Sequence, residues 1–391
     1  MEHNKPVLKK KQHKPLPLQP TLRKETLSLH DHLPLDLVEE ILCRLPVKQL
    51  IQLRCVCRLW NSLFSEDSNF AKKHLRLSTT NQGRHHLIIK SSQFLNLQYP
   101  ISAIFSSRDA TISTYSLRDI PKKRESDRDP GGYVSTCDGI ICYGLNQYSA
   151  LLFNPSIRKF IISPPLEFPD QKHAIIVYTL VYDRFINNYK IIALASCTKT
   201  EVCAHTLGTD YWRRIQGFPS SIPELMCTST GIFVNDSVNW LTTHFIVSLD
   251  LEKESYQKLS LPVPNVQFRS PCLGGTLGTF RGSLSLLISM KENFSHVWIM
   301  KEFGNEKSWT KLLSIPYMSY MKSWWPFRYI KLLYISEDDQ VLMEMYIKMN
   351  YKLVVYDSKN NTFNFPDHQN RISNVSMGRP EIYVESLISP F

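Results

Sequence analysis

Hydrophobic positions follow two different periods along this chain, and the change falls at about residue 80. Between Pro34 and Leu77 apolar residues recur every three or four positions, which is the spacing of one face of a helix. Farther along, they alternate in short runs separated by polar turns, which is typical of β-strands. The pattern therefore predicts a small helical domain followed by a much larger all-β domain.

The helical segment predicts four short helices. Pro34 stands at the start of the first helix, Pro46 separates it from the second, and Asp67 is placed to cap the fourth. The apolar positions are, helix by helix, Leu37, Val38, Ile41, Leu42 and Leu45; Val47, Leu50, Ile51, Leu53 and Val56; Leu59, Trp60, Leu63 and Phe64; and Phe70, His74 and Leu75. Roughly 45 residues are too few to bury so many large side chains internally. We therefore expect another protein to cover part of this surface.

The same segment carries a specific order of residues: Leu33-Pro34, Glu40-Ile41-Leu42, Arg44 to Lys48, Leu53-Arg54, Val56-Cys57, Trp60 and Phe70. This order resembles the F-box, in the form common in plants. The resemblance implies docking onto a Skp-type adaptor and, through it, onto a cullin–RING ubiquitin ligase. The adaptor-binding residues expected from it are Leu33, Pro34, Leu37, Ile41, Leu45, Pro46, Leu50, Val56 and Trp60.

Five segments of the β region repeat one plan, in which an apolar strand and a polar turn lead to an aromatic residue that starts a second strand. The aromatic residues are Phe160, Trp212, Tyr256, Trp309 and Phe363, spaced 52, 44, 53 and 54 positions apart. Another predicted strand pair precedes each hairpin. Each unit thus has four strands in about 50 residues, which is the size of a propeller blade.

A sixth blade is expected from the two ends of the β region. Strands are predicted at Leu87–Lys90, Phe94–Gln98, Ile101–Phe105 and Ile112–Leu117, and another at Ile382–Ser386 near the end of the chain. Natural β-proteins rarely leave long sheet edges unpaired. We therefore expect the terminal strand to pair with the amino-terminal blade and to close a ring of about six blades.

Several motifs recur in the β region: Cys137 to Cys142 with Asn154-Pro155, Tyr182-Asp183 with Tyr189-Lys190, Gly231 to Asn235 with Trp240-Leu241, and Val297 to Glu302 with Ser308 to Leu312. They resemble the F-box-associated, kelch-like domain found after plant F-boxes, although the Gly-Gly pair of true kelch blades is missing. The expected fold is an α+β multidomain chain: a disordered basic tail at 1–30, an all-α F-box bundle at 31–77 and an all-β propeller at 84–391.

The formal net charge of +11 is concentrated near the amino terminus, where the first 30 residues hold seven Lys or Arg and two Glu. This tail is rich in proline and has no sustained period, so we expect it to be disordered. Its run Lys9–Lys14 fits either a nuclear localisation patch or an ordinary solvated tail. The remaining excess is too mild for a nucleic-acid footprint.

The nine cysteines are an odd number without framework spacing, which indicates reduced thiols in the cytosol, the nucleus or both. Cys43, Cys55 and Cys57 lack the paired spacings of a zinc site and are expected to be core residues. No apolar run reaches the roughly 18 residues of a membrane span. No catalytic constellation and no phosphate loop appears, so we expect neither enzymatic activity nor a cofactor, and no membrane partner.

An aromatic cluster lies between the fourth and fifth repeating units, at Trp324, Trp325, Phe327 and Arg328. Aromatic residues with arginine are typical of interaction hot spots. A propeller also buries aromatic residues between its blades, so both a target-binding role and a core role remain open for this cluster.

The expected function is substrate recognition in a Skp–cullin–F-box ubiquitin ligase, with the F-box holding the adaptor and the propeller holding a protein target of unknown identity. Two alternatives remain. One is a propeller enzyme with an appended helical module, and the other is an adaptor-binding scaffold that delivers no substrate.

Overall fold

The computed structural model describes residues 34–90, 95–106, 113–116, 133–146, 148–167, 175–196, 200–219, 230–263, 274–289, 294–317, 329–347, 350–366 and 379–390. The chain divides into two compact units, residues 1–41 and residues 42–391. The described part of the first unit is Pro34 with most of helix α1. All other described elements belong to the second unit.

Four short helices occupy the amino-terminal segment, as predicted: α1 (Leu35–Leu42), α2 (Val47–Leu53), α3 (Arg58–Ser65) and α4 (Ser68–Thr79). The predicted cap of α4 is confirmed, because Asp67 Oδ1 accepts hydrogen bonds from the backbone N–H groups of Asn69 and Phe70 at 2.8 and 3.0 Å. Leu45 and Val56, which the periodicity assigned to helices, lie instead in the connections that follow α1 and α2.

The described residues of the β region form six antiparallel four-stranded sheets, which confirms the predicted blade count. Blade I contains β1 (His85–Lys90), β2 (Leu95–Pro100), β3 (Ser113–Ser116) and β24 (Pro380–Val384); blade II contains β4 (Val134–Cys137), β5 (Ile140–Gly144), β6 (Ala150–Asn154) and β7 (Lys159–Ile162); blade III contains β8 (Ile175–Asp183), β9 (Asn188–Ser196), β10 (Thr200–Thr206) and β11 (Arg213–Ile215). Blade IV contains β12 (Ile232–Val234), β13 (Ser237–Leu241), β14 (Phe245–Asp250) and β15 (Ser255–Ser260); blade V contains β16 (Gly275–Phe280), β17 (Ser283–Ser289), β18 (Phe294–Met300) and β19 (Trp309–Pro316); blade VI contains β20 (Ile330–Ile335), β21 (Gln340–Ile347), β22 (Asn350–Asp357) and β23 (Thr362–Asn364).

The blades pack face to face around a ring. The innermost strand of each blade contacts the innermost strand of the next, in the order β4, β8, β12, β16, β20, β24 and back to β4. Five buried apolar clusters each combine residues of two neighbouring blades; one of them joins Val247 of blade IV to Val177 and Val202 of blade III. The hydrophobic core is therefore divided among the blade interfaces.

The terminal strand closes this ring, as predicted. β24 pairs antiparallel with β1, from His85 opposite Val384 to Ile89 opposite Pro380. On its other side, the Thr136 hydroxyl of β4 donates to the Ile382 carbonyl at 2.8 Å. Blade I thus takes its innermost strand, β24, from the carboxyl-terminal part of the propeller sequence. Its other three strands, β1 to β3, come from the amino-terminal part of that sequence.

The residues after β24 attach the chain end to blade II. The Asn154 side-chain amide donates to the carbonyls of Ser386 and Ile388 at 3.1 and 2.7 Å. The Ser386 hydroxyl donates to the Asp138 carbonyl at 2.7 Å. Gly139 is required beside this contact, because its φ is +82° and a Cβ atom would lie 2.5 Å from the Val384 carbonyl oxygen.

One predicted strand is wrong. Ile101–Ser106 forms helix α5, where the sequence pattern predicted a strand at Ile101–Phe105. Blade I needs only three strands from this region because β24 supplies the fourth. Ile101 and Ile104, three positions apart, are both buried against blades I and VI. Short apolar runs fit a strand or a helix equally well, and tertiary packing decides between them.

The two ends of the ring differ in the chain segments that form them. The turns after the innermost strands of blades II and III lie at the end nearest α4, where Lys72 of α4 donates to the Asn187 side-chain oxygen at 2.8 Å. The connections that lead from one blade into the next join the innermost strands at the opposite end. Much of these connections lies outside the described residues.

Removing residues 380–391 should destabilise the whole propeller. The deletion removes β24 together with the buried side chains of Tyr383, Leu387 and Ile388, each of which is at most 8% exposed. The apolar surfaces that these side chains pack against would then be exposed to solvent. Burial of each such side chain contributes about 1.5–3 kcal/mol, so we expect the melting temperature to fall by about 10 °C or more, with aggregation. Thermal melts followed by circular dichroism measure this. Deletion of residues 1–30 is the control and should leave the melt unchanged; coincident melts for both deletions would contradict a closing role for β24.

Candidate interaction surfaces

Helix α1 presents large apolar side chains to solvent. Leu35, Leu37 and Ile41 are 52%, 50% and 55% exposed. Leu37 and Ile41 are four positions apart and therefore lie on the same face of the helix. Exposed apolar side chains grouped in this way are typical of a surface that binds another protein.

A second exposed apolar group lies at the connection from α2 to α3, within the second unit. Val56 is 62% exposed and Leu59 is 49% exposed. Beneath them the helices have a proper core: Val47, Leu50 and Phe64 are buried, and the Phe64 ring lies 5.4 Å from the Phe70 ring. These helices fold around their own core and leave the exposed group available.

The residues predicted to bind an adaptor thus differ in exposure. Pro34, Leu37, Ile41, Pro46 and Val56 are exposed, Leu45 and Trp60 are partly buried, Leu50 is fully buried, and Leu33 lies outside the described residues. In this arrangement Leu50 supports α2 from inside and offers no surface. Leu59, which the prediction omitted, is more exposed than Trp60.

The expectation for the thiols is correct for Cys43 and wrong for Cys55. Cys43 is buried, Cys57 is partly buried and Cys55 is exposed, because α2 ends at Leu53 and Cys55 lies in the connection that follows. Within the described ranges, no group of three or more His, Cys, Asp or Glu side chains is arranged to hold a metal ion. None of the described helices is long and apolar enough to cross a membrane.

Arg84 is the centre of a buried joint between α2–α4 and the propeller. Its guanidinium donates to the Ser78 hydroxyl of α4 at 2.8 Å and to the Arg44 carbonyl before α2. Its Nε lies 3.6 Å from a carboxylate oxygen of Glu385, directly after β24. The same Glu385 oxygen accepts the backbone N–H of Val47 at 3.4 Å. One ion pair therefore links two helices to the strand that closes the ring.

His74 completes this joint as a neutral side chain. Burial lowers the pKa of His74 to about 4, and the nearby Arg84 charge acts in the same direction. A neutral ring with its proton on Nε2 donates to the Leu45 carbonyl at 2.9 Å and accepts the Ser78 hydroxyl on Nδ1 at 3.4 Å. The hydrogen bonds of the joint therefore keep one arrangement throughout the neutral pH range.

The innermost strands surround a cavity of about 580 Å³ at the end of the ring nearest α4. Its charged lining residues include Lys331 of β20, whose ammonium group donates to the Glu381 carboxylate at 2.5 Å and to the Pro380 carbonyl at 3.2 Å. These bonds join blade VI to β24. This lysine thus has a structural role in closing the ring.

A carboxylate with an unusual pKa lies between blades VI and I. Glu344 is only 3% exposed, and burial raises its pKa to about 7, although the charges of Lys331 and Arg379 and the hydroxyl of Tyr329 oppose the rise. The Arg379 guanidinium lies over the rings of Tyr133 and Tyr329, at 4.6 and 5.2 Å from their centres. Because Glu344 is enclosed between blades, it has no open surface for a substrate.

The aromatic cluster proposed for target binding, Trp324, Trp325, Phe327 and Arg328, lies outside the described residues. The described residues on either side, Tyr317 and Tyr329, are both buried. The two roles considered for this cluster therefore stay predictions.

Sequence reasoning missed the joint and the interblade carboxylate. Arg84 follows Asn81, Gln82 and Gly83, a polar stretch with no period that would indicate burial. Glu344 lies between Met343 and Met345 in an otherwise apolar predicted strand. A carboxylate in such a strand is the one feature of the sequence that could have indicated a buried charged residue.

Two family descriptions match the chain. The family described as "F-box domain" matches residues 31–72, and the family described as "F-box associated beta propeller domain" matches residues 90–379. The matches cover the helical segment and most of the propeller.

The curated relatives from Arabidopsis thaliana include the following two. F-box/kelch-repeat protein At3g23880 is 30% identical over 94% of this chain and 98% of its own length. F-box protein CPR1 is 25% identical over 83% of this chain and 82% of its own length. Among solved structures, TolB from Acinetobacter baumannii is 11% identical with a TM-score of 0.37, over 72% of this chain and 68% of its own, which is too remote to support an inference.

Glu344 should make stability depend on pH. The unfolded chain loses this proton near pH 4.5 and the folded chain near pH 7, so the folded state binds more protons between these values. The free energy of unfolding should therefore fall by about 3 kcal/mol as the pH rises through this window. Glu344→Gln should remove the fall and be at least as stable as the wild type at pH 8. Urea unfolding at several pH values measures this, with exposed Glu252→Gln as the control; an unchanged pH profile in Glu344→Gln would contradict the assignment.

Arg84→Met should weaken the joint by about 3 kcal/mol, because it leaves Glu385 largely buried without its ion-pair partner. The double variant Arg84→Met with Glu385→Gln should lose less than the sum of the two single losses. Urea unfolding gives the energies. The matched control is Arg184→Met, which breaks an exposed ion pair to Asp236 of 2.8 Å and should cost under about 1 kcal/mol. If Arg84→Met and Arg184→Met lowered the free energy of unfolding by the same amount, the buried ion pair of the joint would stabilise the protein no more than an exposed one.

Proposed function

This chain belongs to the family of F-box proteins with an F-box-associated β-propeller domain, and we propose that it is the substrate-recognition subunit of a Skp–cullin–F-box ubiquitin ligase. The observation that carries the proposal is the exposure of apolar side chains on α1 and, within the second unit, at the connection from α2 to α3, whose helices already have a core of their own. The adaptor binds this surface, and a protein target binds the propeller.

On α1 the adaptor contacts Leu37 and Ile41. Within the second unit it contacts Pro46, Val56 and Leu59, while Leu50 and Trp60 support the helices beneath them. Pro34, Leu33 and Leu45 complete the proposed set. Burial of an apolar side chain by a partner gains free energy in proportion to the apolar area removed from water, so these exposed side chains contribute more than the buried ones.

The propeller presents its target at the end of the ring away from α4. The connections that enter the innermost strands join the ring there, and connecting segments commonly carry recognition on a rigid scaffold. The residues Trp324, Trp325, Phe327 and Arg328, between β19 and β20 in the sequence, are proposed target contacts.

The subunit acts by position and not by chemistry of its own. The joint at Arg84 holds α2–α4 on the propeller, so a bound target keeps a defined place relative to the ligase. The gain is a high effective concentration of target lysines near the ubiquitin-charged enzyme. We propose a non-catalytic, cofactor-free protein of cytoplasm, nucleus or both, with a kelch-like propeller and neither nucleic-acid nor membrane partners.

The variant Leu37→Asp with Ile41→Asp should abolish binding of the adaptor. Two carboxylates buried in an apolar interface cost several kcal/mol, which corresponds to a loss of affinity of more than about 100-fold. Co-purification of the adaptor with the full chain measures this. The control is Leu312→Asp, which places one carboxylate at a 39% exposed leucine on outer strand β19 and should leave adaptor binding intact.

The same variant tests target recognition. Deletion of residues 1–77 would cut through α4 and remove Lys72 and His74, which contact Asn187 and Ser78 of the remaining chain, whereas the point variant keeps them. Because the variant Leu37→Asp with Ile41→Asp should not bind the adaptor, it should hold its target without causing its degradation. Mass spectrometry of the proteins that co-purify with the variant identifies the target. Adaptor binding at the wild-type level would refute the proposed contacts. Adaptor binding by the wild type with no captured target would favour a scaffold that delivers no substrate.

A further inference from the structure

The turn between β8 and β9, which we call the blade III turn, presents two large apolar side chains to solvent. Phe185 is 45% exposed and its neighbour Ile186 is 49% exposed. The corresponding turns of four other blades contain only polar residues and glycine: Asp138-Gly139, Asn235-Asp236, Arg281-Gly282 and Ser336-Glu337-Asp338-Asp339. Turns favour such residues, whereas adjacent exposed apolar side chains are typical of a surface that binds another protein.

Hydrogen bonds and charges fix the conformation of the blade III turn. Asp183 is buried at the end of β8, and its carboxylate accepts the backbone N–H of Phe185 at 2.9 Å. Asn187 has the positive φ, +52°, that closes the turn. The Arg184 guanidinium lies 5.1 Å from the centre of the Phe185 ring and pairs with Asp236 of blade IV at 2.8 Å. A partner therefore meets a preorganised surface, which loses little conformational entropy on binding.

The blade III turn is attached to helix α4 within the second unit. The Lys72 ammonium group donates to the Asn187 side-chain oxygen at 2.8 Å and to the Tyr182 hydroxyl at 3.3 Å. It also lies 5.6 Å from the centre of the Tyr182 ring. The Tyr182 hydroxyl in turn donates to the Asn187 side-chain oxygen. The turn therefore lies on the same side of the propeller as α4 and keeps a constant position relative to this helix.

A partner that covers Val56 and Leu59 can also reach the blade III turn. Leu59 lies near the start of α3, α4 begins three positions after α3 ends, and Lys72 lies in the first half of α4. Helical rise and the length of a fully extended connection place the Cα atoms of Leu59 and Lys72 at most about 25 Å apart. Interfaces of about 800 to 1,500 Å² per partner are about 30 to 45 Å wide. One interface can therefore include the connection from α2 to α3 and the blade III turn.

We propose that the blade III turn is a second contact for the adaptor, which packs on Phe185 and Ile186 of the propeller as well as on the F-box helices. This inference rests on the proposed ligase role and adds a contact outside the F-box. The adaptor is the occupant because the proposed target surface lies at the opposite end of the ring. The contact removes two half-exposed apolar side chains from water. It also connects the adaptor directly to the propeller, so the orientation of a bound target depends on both contacts.

Titration calorimetry of the full chain with a purified Skp-type adaptor from Arabidopsis thaliana tests this contact. Phe185→Ser with Ile186→Ser should weaken binding about tenfold, because both side chains lose their apolar contacts with the adaptor. The matched control is Ile175→Ser with Phe294→Ser, which changes side chains that are 48% and 41% exposed at the opposite end of the ring. It should leave the affinity unchanged. Thermal melts verify that both variants are folded.

Photo-crosslinking provides a second measurement, which reports proximity and does not depend on a change in affinity. The full chain with p-benzoylphenylalanine in place of Ile186 should form a covalent crosslink to the adaptor on irradiation. The same group in place of Ile175, at the other end of β8, should not. Mass spectrometry of the crosslinked product identifies the adaptor residues that contact the turn.

The outcomes distinguish this contact from the proposed function. If Leu37→Asp with Ile41→Asp binds the adaptor like the wild type, the proposed function fails. If that variant loses binding while Phe185→Ser with Ile186→Ser keeps the wild-type affinity, only the second contact is wrong. Equal crosslinking from positions 186 and 175 would also overturn it. If the chain without adaptor sediments as a dimer and Phe185→Ser with Ile186→Ser makes it a monomer, the turn is an interface between two copies instead.

Discussion

The pairing of β24 with β1 is the constraint on which the rest of the second unit depends. It joins residues about 300 positions apart and turns six separate sheets into a closed ring. Without it, the faces of blades I and VI that meet at Leu87 and Leu342 would lose the strand that closes the gap. The entropy of ordering such a long chain segment opposes closure, and burial of apolar surface at every blade interface offsets it.

The same closing strand also fixes the helices. Glu385 follows β24 directly and meets Arg84 directly before β1, so the ion pair lies where the two paired strands leave the sheet. Through Arg84 the carbonyl of Arg44 and the hydroxyl of Ser78 are held in place. Closure of the propeller and attachment of α2–α4 are therefore one structural event. This coupling suits the proposed recognition role, in which a target is held at a set place.

The charged residues of the ring interior serve this architecture. Lys331 and Glu381 pair across β20 and β24, and Arg379 lies between the rings of Tyr133 and Tyr329. Glu344 is buried at a cost, which appears as its raised pKa.

The sequence alone determined the features that repeat locally. Helical spacing and Asp67 predict α4 with its cap, the recurring aromatic residues such as Trp309 predict the blades, and alternation predicts a terminal strand. Tertiary structure decided the rest: Ile101–Ser106 is a helix because β24 occupies the place of a fourth strand, and Leu50 is buried while Leu37 is exposed. The joint of Arg84 with Glu385 was likewise invisible, because a contact between residues so far apart leaves no local period in the sequence.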